Sequence, residues 1–64
     1  MPAPSIIVTY TDRDGDEFPV RVPVSRATPR SYVEREANEV LRALIVDGTW
    51  TPQHPLKITG YTPA

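Results

Sequence analysis

The stretch "IIVTYTDRDGDEFPVRVPV", Ile6 to Val24, constrains the fold more than any other, because it joins two alternating apolar runs by a turn whose length decides which side chains share a face. Asp12 opens "DRDGD" and Gly15 stands three residues on, the pattern of a type I turn closed by a glycine in the left-handed region. With Arg13, Asp14 and Gly15 as the loop, Asp12 faces Asp16, Tyr10 faces Phe18, Val8 faces Val20 and Ile6 faces Val22. The larger apolar residues then collect on one side. A two-residue Asp14-Gly15 turn would instead set Tyr10 against Pro19 and Val8 against Arg21, mixing the faces.

The same register accounts for two prolines in a strand. Residues of an antiparallel pair alternate between pointing their N–H and C=O at the partner and pointing them away. If Asp12 and Asp16 close the loop with a hydrogen bond, then Phe18, Val20 and Val22 point inward while Pro19, Arg21 and Pro23 point outward. A proline belongs only on the outward side, so the second strand, over about 17–24, is expected at a sheet edge blunted against further pairing. The first strand is expected over about 6–11.

A helix is expected over about 29–46, where Val33, Ala37, Val40, Leu41 and Leu44 recur on one face of a 3.6-residue period. Thr28 and Pro29 read as N-cap and first helical residue, with Ser31 and Glu34 as a competing capping box. Gly48 is a natural stop. After the loop "TWTPQHP", the run "LKITGY" reads as a third strand over about 56–61, with Leu56 and Ile58 on one face and Lys57, Thr59 and Tyr61 on the other. Because strand two is a blunted edge, strand three is expected beside strand one, antiparallel to it. The expected fold is a single small α+β domain across 1–64: two layers, ββαβ, with a three-stranded, mostly antiparallel sheet of order 2-1-3 and one helix on one face. In order of elements it resembles the opening half of a β-grasp fold.

Composition narrows the chemistry. Sixty-four residues support only a thin core, and with no cysteine and one histidine neither a disulfide nor a Cys/His zinc site can brace it. No apolar run approaches the roughly 18 residues of a membrane span, and "MPAPSIIVTY" lacks the pattern of a signal peptide, so a cytoplasmic protein without membrane contact is expected. Seven basic and eight acidic residues are scattered, for a net charge of −1, which is unlike the basic stripe of a protein built on phosphate neutralisation.

No cofactor or metal site and no enzyme activity is expected. His54 stands apart from any serine elbow. Asp12, Asp14 and Asp16 are spaced like calcium ligands, but the glycine sits between the second and third acids and Pro23 occupies the closing position. Binding is the remaining class. With one helix, one sheet face stays open, and it is expected to present Ile7, Thr9, Thr11, Pro19, Arg21, Pro23, Lys57, Thr59 and Tyr61. Arg21, Lys57, Thr59 and Tyr61 are therefore candidate contacts with another protein or, through strand three, with a second copy. A weaker alternative is nucleic acid, with Tyr61 stacking on a base while Arg21 and Lys57 hold phosphates. Trp50 is either tucked over the end of the core or an exposed anchor for a partner. The profile suits an accessory or regulatory protein, of the kind phages and other mobile elements carry.

Overall fold

The computed structural model describes residues 3–64. In chain order they form β1 (Ile6–Thr11), β2 (Glu17–Val22), α1 (Arg30–Val46) and β3 (Lys57–Pro63). Both pairings are antiparallel and the order is β2-β1-β3, so this is the α+β arrangement that the sequence pattern implies. The helix lies across β2 and β1.

The hairpin carries the expected register, with Tyr10 opposite Phe18, Val8 opposite Val20 and Ile6 opposite Val22. Its loop is closed by Asp12 N–H donating to the Asp16 carbonyl (3.0 Å) and Gly15 N–H donating to the Asp12 carbonyl (3.1 Å). Gly15 has φ 88°, the left-handed conformation that glycine adopts without steric cost. Strand β2 ends at Val22, two residues short of the expected boundary. There the Val24 N–H turns back onto the Val22 carbonyl (2.9 Å), so Pro23 closes the strand and Pro19 alone sits within it.

The core forms where this hairpin meets the helix. Ile6, Val8, Val20, Val22 and Val33 are its largest fully buried side chains, each contributing about 1.5–3 kcal/mol on burial. Tyr10, Ala37 and Leu41 complete the buried set. The Tyr10 hydroxyl stays satisfied by donating to Asn38 Oδ1 (2.8 Å), while burial, reinforced by the Glu34 charge, raises its pKa. Val33, Ala37 and Leu41 form the buried stripe of the helix; Leu44 is half-buried and Val40 exposed, so the apolar face is narrower than its periodicity suggests.

Neither expected N-cap is used. The helix starts at Arg30 after an extended Pro29, with no side-chain cap. Thr28 instead closes a preceding turn, its N–H donating to the Ser25 carbonyl (3.1 Å) and its hydroxyl lying 3.3 Å from that of Ser25. Glu34 is drawn to Arg30, at 2.7 Å, and so does not fold back to the backbone. At the other end Gly48 (φ 83°) sits in a Schellman turn, with Gly48 N–H donating to the Ile45 carbonyl and Thr49 N–H to that of Leu44.

Strand β3 departs most from simple alternation. It runs two residues past Tyr61, and its register slips once: Thr9 faces Gly60, yet the next residue, Tyr10, faces Ile58. Thr59 is the extra residue of a β-bulge. The slip turns Tyr61 to the opposite face from the one expected, placing it beside Val8 on the helix side. There the Arg30 guanidinium lies over its ring, 4.6 Å from the centroid. Gly60 makes the bulge fit, because a Cβ at that position would stand 3.0 Å from the Thr9 Cβ and 3.1 Å from its hydroxyl. Gly60→Ala should therefore cost about 1–3 kcal/mol in chemical denaturation, and most of that cost should vanish when it is introduced into a Thr9→Gly background, which removes both the Cβ and the hydroxyl. An equal loss from Gly60→Ala with and without Thr9→Gly would refute the steric account.

Candidate functional site

The side of the sheet away from the helix carries three cross-strand rows centred on β1. Ile7 lies between Arg21 and Thr62, Thr9 between Pro19 and Gly60, and Thr11 between Glu17 and Lys57. The bulge adds Thr59, whose hydroxyl is 2.6 Å from that of Thr11. This surface is rich in threonine and bears cations at opposite ends. Arg21 is steadied by donation from Nη1 to Ser5 Oγ (3.0 Å). Among the described residues no aromatic side chain belongs to the three rows.

The most constructed part of the face is its hairpin end, where Thr11, Asp12, Arg13, Pro55, Lys57 and Thr59 line an open groove of about 300 Å³. Its geometry depends on Asp12, a buried residue whose Oδ1 accepts from the Asp14 and Asp16 N–H groups (2.9 Å each) and whose Oδ2 accepts from the Gln53 N–H (3.1 Å). Arg13 N–H returns a bond to the Gln53 carbonyl (2.9 Å), so the hairpin tip and the loop after the helix are held as one wall. These donors, Gln53 first, hold the Asp12 carboxyl below the usual carboxylate range against the opposing effect of burial. Among the described residues no group of three acidic, histidine or cysteine side chains could hold a metal ion.

The five sequence candidates thus divide. Lys57 and Thr59 line the groove and Arg21 marks the far end of the same face, whereas Tyr61 belongs to the helix side. Trp50 is half-buried at the end of the helix, its N–H donating to the Leu44 carbonyl (3.2 Å) and its ring 5.4 Å from that of Phe18 at 55°. It is tucked against the core. Arg13, Thr11 and Pro55 were not singled out as contact residues. Periodicity could not bring a hairpin tip to a loop forty residues away, but the lone glycine at 60 inside a strand is a signal of a bulge.

No protein-family model matches the chain, and neither a curated protein nor a solved structure matches it.

Asp12→Asn should lower the denaturation midpoint near neutral pH, because an amide nitrogen cannot accept a bond from a backbone N–H. The sign of the pH dependence follows from the lowered pKa. The carboxylate's contribution is whole above its unfolded-chain value of 3.8 and is lost as pH falls through the lower folded value. The gap between wild type and Asp12→Asn should therefore close in strong acid; denaturant midpoints that stay equally separated there would contradict this.

Proposed function

We propose that this protein is a non-catalytic binding module that meets another protein face-on, through the open side of its sheet, as an accessory or regulatory protein of the cytoplasm. One observation carries the proposal: a whole sheet face lies uncovered while both sheet edges are blunted. On β2 the outward position belongs to Pro19. On β3 the bond from Ala64 N–H to the Ser5 carbonyl (2.8 Å) and the pairing of Thr62 with Ile7 turn Pro63 outward, and the bulge at Thr59 further disturbs that edge. Strand addition, including a homodimer through β3, loses backbone donors on either side. The face itself has no such obstacle.

The arrangement of polar groups favours binding over catalysis. The Thr11 and Thr59 hydroxyls lie against each other, and the groove they line holds no histidine to act as a base. The nucleic-acid alternative relied on Tyr61 as a stacking platform, and Tyr61 faces the helix, beneath Arg30.

The test is a pull-down from native extract, with and without nuclease, repeated with Ile7→Glu. The new carboxylate would stand opposite Arg21, a cross-strand pairing that the sheet tolerates. A stoichiometric protein that survives nuclease and is recovered about tenfold less by Ile7→Glu, a loss of about 1.4 kcal/mol, supports the face as the contact. Recovery abolished by nuclease, or undiminished by the substitution, overturns it.

A further inference from the structure

We propose that the groove at the hairpin end of the open face is the anchor point for a single carboxylate side chain of the partner, an inference that rests on the protein-binding function proposed for the same face. The groove's donors and acceptors are unequally free. Its one carboxylate, Asp12, already accepts from three backbone N–H groups. Its two cations, Arg13 and Lys57, take part in no ion pair among the described residues, and the bond from Arg13 Nη2 to Gln53 Oε1 is long, at 3.5 Å. The Thr11 and Thr59 hydroxyls share one hydrogen bond, which uses one of their two protons and leaves the other free to be donated. Pro55 contributes only a ring. What the site offers a visitor is an ammonium, a guanidinium fork and a hydroxyl proton, and a group rich in acceptors and negatively charged satisfies that set.

The surrounding acids decide which anion. Asp14 and Asp16 lie on the adjoining tip, and Glu17 flanks Thr11 on the side opposite Lys57. Attraction to Arg13 and Lys57 and repulsion by these acids scale alike with the visitor's charge, so position selects: a single carboxylate can set its one charge between the two cations, whereas an extended polyanion must also set charge beside Asp14, Asp16 and Glu17. A glutamate or aspartate projecting from a protein surface carries one charge and two acceptor oxygens. It also arrives as part of a surface that can cover the threonine rows beside the groove.

The experiment is an NMR titration of the intact, isotope-labelled chain with the blocked peptide acetyl-Gly-Glu-Gly-amide, its glutamine analogue and inorganic phosphate. The glutamate peptide should give saturable shifts at Thr11, Arg13, Lys57 and Thr59 below about 50 mM, a range suited to a single-anchor contact. The glutamine peptide should not. Lys57→Gln and Arg13→Gln, both at exposed positions, should each weaken binding about three- to tenfold with the spectrum otherwise intact, and Glu17→Gln should strengthen it. Shifts of equal size with the glutamine peptide, no saturation with glutamate, or phosphate binding tighter than glutamate would each overturn the proposal. The outcome is separable from that of the pull-down, which probes Ile7 at the other end of the face and needs no bound carboxylate.

Discussion

The Asp12 carboxylate ties the hairpin tip to the loop that follows the helix, beside the Arg13 N–H bond to the Gln53 carbonyl. A ten-residue connection between a helix and a strand can take many paths, and Trp50, Pro52 and Leu56 fix this one against the core on either side of Gln53. Asp12 fixes its middle at Gln53. One of its oxygens organises the hairpin tip through the Asp14 and Asp16 N–H groups, while the other takes the Gln53 N–H from the far loop. A buried charge is costly alone, but here backbone donors compensate it, and the same bonds that hold it ionised hold the loop in place. The groove is therefore a consequence of folding energetics before it is a feature of function. Among the described residues no buried side-chain nitrogen or oxygen lacks a partner, so the tie introduces no unsatisfied group elsewhere.

A second constraint, the close approach of β3 to Thr9, decides what the open face can be. Thr59 and Gly60 together span one step of β1, and the strand continues with its faces exchanged. Tyr61 is thereby taken from the open side and placed where Arg30, already paired with Glu34, can lie over it. The helix crosses β2 and β1, so this contact at its N-terminal end extends the helix's hold toward the third strand. Its other effect is on recognition. The open face is left with threonines, Ile7 and terminal cations, a surface fit for polar and charge-assisted contacts and poor in stacking ones.

How far the sequence revealed these features follows from where the constraints lie along the chain. The β1–β2 register was legible because Asp12 and Gly15 set the loop length locally, and a slip of one residue would have put Val8 and Val20 on opposite faces. The edge position of β2 followed from Pro19 by the same logic. The face of Tyr61 was not legible by alternation, since no tight turn fixes the start of β3 and a single inserted residue reverses everything after it; only Gly60 hinted at the bulge. Thr28 and Ser31 failed as caps for a comparable reason. Each had a competing partner, Ser25 for Thr28 and Arg30 for the Glu34 that would have completed the box, and propensity does not rank such partners. The contact of Asp12 with Gln53 depends on tertiary structure alone.

These two constraints meet at the groove, and together they shape what the proposed carboxylate anchor would accept. Asp12 brings Arg13 and the Pro55 loop to one end of the sheet, and the bulge delivers Thr59 beside Thr11 and Lys57. The cations so gathered sit next to a hairpin tip that carries Asp14 and Asp16 beside the Asp12 carboxylate that organises the turn. The arrangement of charge is mixed, cationic within the groove and acidic around it, and such an arrangement discriminates by where a visitor places its charge, whereas a uniformly basic one would accept any polyanion. A protein surface, which can place one carboxylate in the groove and neutral groups against Thr9 and Ile7, meets both conditions at once.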